Sequence, residues 1–190
     1  AGSAHATPDT RNFMIGIYDE VFIEGDMRVE ISNNGAPSAK AEGDAKLVDN
    51  LQIERVGKQI RIGFRPMGAG YQQPQGSVLV KLSGRNIRKL QVRGGAQVSV
   101  DAIKASAGQF ELRGSGEVRI GKVETDTMQV LVNGTGAFAI GVGSAKNGAV
   151  HLNGTANFDA PEFTFNTLTL FQQGAANVST KAKREVIASG

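Results

Sequence analysis

The sequence predicts an all-β protein, a single-stranded right-handed parallel β-helix with 20-residue coils. The first observation is a series of glycines spaced 20 residues apart: Gly94, Gly114, Gly134, Gly154 and Gly174. The second is a set of apolar positions around each glycine. Four residues before the glycines stand Leu90, Phe110, Val130, Val150 and Leu170. Four residues after them stand Val98, Val118, Phe138, Phe158 and Val178. Because the neighbouring apolar positions follow at i, i+2, each unit is typical of strands with one inward face.

A repeat of this length favours a solenoid over other repeat folds. Two helices with their turns do not fit into 20 residues, and a propeller blade needs roughly twice that length. The fixed asparagine of leucine-rich repeats is missing. In a parallel β-helix, each coil itself supplies the dozen or more residues that a parallel connection requires. Equivalent residues of successive coils then stack about 4.8 Å apart and form inward aliphatic columns.

The repeat divides the chain into three parts. We expect a flexible arm at residues 1–12, a β-helix domain at 13–180, and a C-terminal tail or cap at 181–190. Within the domain we expect irregular coils at 13–82 and regular coils at 83–180, roughly eight in all. The first coil is Val21-x-Ile23-x-Gly25-x-x-x-Val29-x-Ile31, which repeats the spacing of the later units. The composition of residues 65–76, rich in Gly, Pro and Gln, indicates a loop.

Composition excludes several classes of protein. The 190 residues include no cysteine, so a disulfide framework and thiolate metal sites are excluded. Because no apolar run reaches about 18 residues, the sequence predicts no membrane span. Ala4-His5-Ala6 has the small-x-small form of a signal-peptidase site. An ordinary flexible terminus explains that tripeptide equally well.

The turns and the opening unit carry a family resemblance. Gly114-Ser115-Gly116 and Gly134-Thr135-Gly136 lie between short strands, and a Gly43-Asp44 strand follows the Val-x-Ile-x-Gly unit. These features resemble the putative auto-transporter adhesin head GIN domain family over roughly residues 13–180. The resemblance implies a β-helical domain exported by a bacterium to the periplasm, outer membrane or cell surface, after removal of a signal peptide. It implies no catalytic residues. The sequence departs from the Gly-x-Gly pattern at Ala156 and Ala176, where a left-handed turn residue is harder to accommodate.

Candidate catalytic and metal-binding groups are few. The outward acids of the regular coils are Asp101, Glu111, Glu117, Glu124, Asp126 and Asp159. No two of them share a column on neighbouring coils, whereas glycoside hydrolysis needs paired carboxylates. The two histidines, His5 and His151, have no acid at ligand spacing. We therefore predict no catalytic residues, no metal site and no cofactor, and expect a non-enzymatic module. A lyase or hydrolase acting on polysaccharide is the alternative, which acids converging in a groove would favour.

The uneven charge provides a candidate binding site. Residues 1–54 hold ten acidic and four basic side chains, whereas residues 55–93 hold nine basic ones and no acid. This basic belt consists of Arg55, Lys58, Arg61, Arg65, Lys81, Arg85, Arg88, Lys89 and Arg93. Either it neutralises the acidic first coils packed beside it, or it binds an anionic glycan or another envelope polymer. Nucleic acid is disfavoured, since few aromatic residues interleave the charges.

A second candidate surface is apolar. The column one residue before Leu112 should face outward, and it contains Leu131, His151 and Phe171. An apolar stripe along one face usually marks a contact. Two coverings are open: the C-terminal tail folding back through Val186 and Ile187, or weak self-association of two copies.

Overall fold

The computed structural model describes residues 8–66 and 76–188. The tripeptide at residues 4–6 and most of the predicted loop at 65–76 lie outside these ranges. Within them, the chain forms 13 strands that belong to a single sheet and one short helix. No helix of the described ranges has the length and apolar character needed to cross a bilayer.

The chain begins with short strands and ends with long ones. The short strands are β1 (Pro8–Phe13), β2 (Glu20–Glu24), β3 (Arg28–Ser32), β4 (Ser38–Asp44), β5 (Leu51–Val56), β6 (Gln59–Phe64), β7 (Val78–Ser83) and β8 (Lys89–Arg93). Helix α1 (Ala45–Asn50) lies between β4 and β5. The long strands are β9 (Gln97–Gly114), β10 (Glu117–Gly134), β11 (Ala137–Gly154), β12 (Asn157–Gln173) and β13 (Asn177–Ala188).

The long strands confirm the predicted fold class. Each one lies parallel to the next, and from β9 to β12 the offset is 20 residues, so that Val98, Val118 and Phe138 are direct neighbours. Between β12 and β13 the offset falls from 20 to 17 residues after Ala160. Together they form a β-solenoid of about five turns. The predicted inward columns are buried: Phe110, Val130 and Val150 are all at most 3% exposed. These columns form the continuous apolar core.

The repeated glycines form the turn of each coil. All five have φ between +90° and +121°, a region that other residues rarely adopt. A Cβ at Gly114 would lie 2.7 Å from the carbonyl oxygen of Gly94, because the turns stack directly on one another. Ala156 and Ala176 are buried in the third position of this turn. These two coils keep the same turn, because only its first residue has positive φ and that residue is still glycine.

Each regular coil presents three stretches in which buried and exposed residues alternate. We name the outer surfaces by these stretches. The first face contains β6, β2, β8 and residues 109–113, 129–133, 149–153 and 169–173. The second face contains β7, β3 and residues 97–100, 117–120, 137–140 and 157–160. The third face is formed by the remaining stretch of each long strand.

The coil that comes first in the sequence, Val21 to Ile31, is not at the end of the stack. As expected, residues Val21 to Ile31 form a coil, and Gly25 lies against Gly94. However, β2 lies between β6 and β8, and β3 lies between β7 and β9. The coil that forms first in the chain is therefore inserted between two coils that come later.

Residues before the regular coils also close one end of the solenoid, and several expectations are corrected here. Residues 8–12 of the predicted arm belong to a strand, and fewer coils form than the eight predicted. Residues Pro8–Phe13 form β1, antiparallel to β4, which in turn lies antiparallel to β7. Likewise, β5 is antiparallel to β6. Leu47 and Val48 of α1 are fully buried at this end. Because these segments form a cap instead of coils, about five turns remain.

The predicted tail forms the last strand of the stack. Residues 181–188 belong to β13, and Val186 and Ile187 lie beside Thr169 and Leu170 of β12. Their exposed fractions are 41% and 70%. The tail therefore does not fold back over Leu131 and Phe171, and that expectation is wrong.

Candidate functional site

The fold distributes the basic belt over several surfaces. Arg61, Lys89 and Arg93 lie on the first face, in β6 and β8, whereas Lys81 lies on the second face, in β7. The other members lie at strand ends and turns: Arg55, Lys58, Arg65, Arg85 and Arg88. Because the belt is continuous in sequence but its residues face different directions, it does not form one binding surface.

Two belt residues neutralise acids of the N-terminal coil and cap. Arg88 Nε lies 3.2 Å from Asp19 Oδ2, and its Nη2 lies 3.1 Å from Glu20 Oε1. Lys81 Nζ lies 3.5 Å from Glu42 Oε1 on the second face. These ion pairs join segments that are remote in sequence. For Arg88 and Lys81, the structure therefore agrees with the neutralisation hypothesis.

Two arginines of the first face cover one phenylalanine, and a third arginine lies on the next strand. The guanidinium carbons of Arg61 and Arg93 lie 4.8 and 5.2 Å from the ring centroid of Phe22. Phe22 occupies an outward position in β2, yet it is only 6% exposed because the two arginines cover it. Arg113 is the register neighbour of Arg93 on the next strand. We call Arg61, Arg93 and Arg113 the arginine patch.

Glu24 and Glu54 are the register neighbours of Arg93 and Arg61. The third acid beside this patch is Glu111, which forms an ion pair with Arg113. Partial burial acts to raise the pKa of its carboxyl group. A hydrogen bond and the charge of Arg113, with help from Gln91 and Arg93, outweigh burial and hold the pKa below its usual value. The carboxylate therefore stays ionised and partly offsets the repulsion between the neighbouring arginines.

A shallow groove crosses the middle of the first face. Its volume is about 340 Å³. The side chains on its outer surface are Lys89, Gln91, Gln109, Glu111, Gln129, Leu131 and His151. They form two columns of stacked residues that run along the solenoid axis. The groove therefore presents ammonium, amide and carboxylate groups at intervals of about 4.8 Å.

The groove ends at a pair of stacked rings. The centroids of His151 and Phe171 lie 4.2 Å apart, and the ring planes differ by 6°. Leu131 precedes them in the same column and is half-buried, whereas Phe171 is 36% exposed. The three residues proposed as an interface thus form one continuous outward strip.

The candidate acids are mostly held by local partners. Asp101 accepts hydrogen bonds from the backbone N–H groups of Asn33 (2.8 Å) and Ala102 (2.7 Å). Ion pairs hold four others: Glu111 with Arg113, Glu117 with Arg119, Glu124 with Lys122, and Asp126 with Lys146. Within residues 8–66 and 76–188, no group of three or more potential ligands could hold a metal ion.

Sequence reasoning missed two residues here: Arg113 of the arginine patch, and Phe22, which two of its arginines cover. Arg113 was left out of the belt because acids follow Arg93 in the sequence, although a 20-residue spacing places the two arginines in one column. Phe22 gave no signal, because an outward aromatic residue is covered only when remote strands bring Arg61 and Arg93 beside it.

Solved structures of other bacterial proteins share this fold. A putative adhesin from Bacteroides fragilis has a TM-score of 0.79 at 13% identity, with 98% of both chains covered. A putative lipid binding protein from Parabacteroides distasonis has a TM-score of 0.66 at 16% identity, with 96% of this chain and 92% of that chain covered. A putative adhesin from the same species has a TM-score of 0.61 at 12% identity, covering 97% and 98%. At these identities the likeness shows the fold alone.

No curated protein matches this sequence. A family model described as putative auto-transporter adhesin, head GIN domain, matches residues 17–189. That match spans the solenoid from the residues before β2 to the end of β13. The chain therefore belongs to the auto-transporter adhesin head GIN domain family.

Proposed function

We propose that this domain is a non-enzymatic binding module of the bacterial cell envelope that attaches to anionic polysaccharide through the arginine patch. Membership of an adhesin family supports export and attachment to an external partner. The observation that carries the choice of ligand is the in-register pair Arg93 and Arg113 beside Arg61. Like charges directly opposite each other destabilise a sheet. Glu111 offsets part of this repulsion, and an anion bound between Arg93 and Arg113 would offset more of it.

The patch has the chemistry that anionic sugars require. Guanidinium groups bind carboxylate and sulfate oxygens through two parallel hydrogen bonds. The ring of Phe22 holds the guanidinium groups of Arg61 and Arg93 on its surface, which reduces the entropy that binding must remove. Since the solenoid repeats its surface at each coil, an extended polymer with regularly spaced anions fits it better than a compact ligand.

The test is binding of polygalacturonate, with neutral dextran as the uncharged probe. We expect the double variant Arg61→Gln/Arg93→Gln to weaken polygalacturonate binding by about tenfold or more, which equals about 1.4 kcal/mol. The matched control is Lys81→Gln/Arg85→Gln, which removes the same charge from other surfaces. Raising the ionic strength from about 0.05 to about 0.5 M should weaken wild-type binding further by screening.

Three outcomes contradict the proposal. They are equal weakening in both double variants, equal affinity for dextran, and binding that does not respond to salt. A separate assay addresses the absence of catalysis: incubation of the wild-type chain with polygalacturonate should release no new reducing or unsaturated ends.

A further inference from the structure

An outward column of five residues runs along the middle of the first face, and Leu131 is its central residue. Gln91, Glu111, Leu131, His151 and Phe171 are register neighbours on five successive strands. Leu131 is the third of the five. An acid lies one strand before it and an imidazole lies one strand after it. This arrangement is what a surface needs to bind a second copy of itself with reversed direction.

We propose that two copies of this chain pack first face against first face around a twofold axis through Leu131. The axis runs along the strand direction, so the two solenoid axes are antiparallel. In a twofold interface, residue i of one copy meets residue j of the other and the reverse. Glu111 then faces His151 of the second copy, Gln91 faces Phe171, and Leu131 faces Leu131. An imidazole N–H donates to a carboxylate in either protonation state of the histidine.

The columns on either side of the centre also match. The column containing Lys89, Gln109 and Gln129 continues through Ala149 and Thr169. With the axis at Leu131, Lys89 faces Thr169 of the second copy and Gln109 faces Ala149. In the third column, Arg113 faces Asn153 of the second copy. No cation faces a cation and no acid faces an acid, so the pairing avoids like-charge contacts, which cost several kcal/mol.

The charges select this axis over the other twofold axis in the same plane. A twofold axis parallel to the solenoid would keep each coil opposite its equivalent coil. Glu111 would then face Glu111 of the second copy, and Lys89 would face Arg93. Both contacts are repulsive, so the antiparallel arrangement is favoured.

Shape and area are consistent with a reversible dimer. The groove of about 340 Å³ can receive side chains of the second copy, and Leu131 and Phe171 supply apolar surface at its end. Sheets that pack face to face keep their strand directions within about 30°, so contacts near the axis keep their partners. Five strands of five residues give a footprint of roughly 20 by 17 Å. Counted over both copies, this is about 700 Å² of covered surface, which is below the range of stable complexes, so we expect a weak and transient dimer.

The dimer goes beyond the proposed binding function and overlaps its site. Arg93 and Arg113 lie in β8 and β9, two of the five strands that the second copy covers. Of the three arginines in the patch, only Arg61, in β6, lies outside those strands. Dimer formation and binding of an anionic polymer to the arginine patch should therefore compete with each other.

The test changes Leu131, which faces Leu131 of the second copy in the proposed dimer. Leu131→Asp and Leu131→Lys each place two like charges on the axis, so each variant alone should have a dimer dissociation constant raised by about tenfold or more. An equimolar mixture should form a mixed dimer, because Asp then faces Lys. Molar mass is measured by sedimentation equilibrium over a range of concentrations. Ala139→Asp and Ala139→Lys on the second face are the matched controls. Each should have the same dimer dissociation constant as the wild-type chain.

A second pair of variants tests the axis without changing Leu131. His151→Glu faces Glu111 of the second copy and should weaken the dimer, whereas Thr169→Glu faces Lys89 and should strengthen it. The proposal is overturned if the wild-type chain stays monomeric at all accessible concentrations, or if the Leu131 variants dimerise alone. It is also overturned if they dissociate and their mixture does not recover, or if His151→Glu and Thr169→Glu act alike.

Discussion

At the scale of single residues, large and small side chains compensate for each other between neighbouring coils. Gly108, Met128, Gly148 and Leu168 form one inward column, so that glycines alternate with large residues. A Cβ at Gly148 would lie only 2.2 Å from Cε1 of Phe165. The ring of Phe165 therefore fills the space that a side chain at position 148 would take. Close packing of this kind leaves no room for added volume.

Gly148→Ala should consequently destabilise the protein by overpacking. We expect a loss of about 1–3 kcal/mol in the free energy of unfolding, measured by urea denaturation. Gly63→Ala is the control, because its added Cβ would lie 3.5 Å from the nearest atom, the carbonyl oxygen of Glu24. That control should be neutral or slightly stabilising. Similar free energies of unfolding for the two variants would contradict this prediction, because the packing around Phe165 would then have room for a Cβ at position 148.

The sequence allows prediction of inward and outward positions, because strand periodicity alone decides them. Ile120 and Val132 are buried and Arg119 is exposed, as their places in the repeat indicate. Outward residues that long-range neighbours cover are beyond such reasoning. Phe22 is the example, since its burial depends on Arg61 and Arg93 from two other strands.

At the scale of elements, the inserted coil β2–β3 is held by a polar latch. The side chain of Asn33 donates hydrogen bonds to the carbonyl oxygens of Ile87 (3.2 Å) and Ala102 (3.1 Å). Its Oδ1 accepts one from the backbone N–H of Ile87 (3.0 Å). Its own backbone N–H donates to Asp101. One residue after β3 thus joins the inserted coil to the segment before β8 and to β9.

Asn33→Ala should remove this latch and leave backbone groups of Ile87 and Ala102 without partners. Each net hydrogen bond contributes about 0.5–1.5 kcal/mol, so we expect a loss of about 2–4 kcal/mol in unfolding free energy. The neighbouring Asn34 is exposed. Its replacement by alanine should change stability by about 0.5 kcal/mol or less. Thermal or urea unfolding of the two variants measures the difference, and an Asn33→Ala loss no larger than that of Asn34→Ala would contradict the latch.

The position of the inserted coil could not be predicted from the repeat. The spacing from Val21 to Ile31 shows that this segment forms a coil, but it contains no information about which coil lies beside it. Val21 lies next to Leu90 and Ile60, and both neighbours are apolar residues of the same kind as any other coil offers. The choice depends on connections and on polar contacts such as that of Asn33, which become visible only in three dimensions.

At the scale of the whole molecule, the two ends of the solenoid differ. One end is closed by β1, β4, β5 and α1. In α1, Leu47 and Val48 are buried. At the other end, β13 pairs with β12 along one side. Residues 33–58 contain apolar residues without the motif spacing, which is why the sequence predicts irregular coils in this region and not a cap. Each coil contacts its neighbours only, so stability in such a stack is close to a sum of local terms.

Because of this locality, a defect in the cap should weaken the protein unevenly. Leu47→Ala removes a fully buried side chain from α1 and should cost about 2–5 kcal/mol where the cap meets the first coils. We expect amide hydrogen exchange to quicken in β4–β7 first, then in β2 and β3, while β10–β12 keep their protection. Lys46→Ala, at an exposed position of the same helix, is the control and should leave the exchange pattern unchanged. An equal loss of protection from β4 to β12 in Leu47→Ala would mean that the chain unfolds as one cooperative unit, and the nearest-neighbour description of this solenoid would then be wrong.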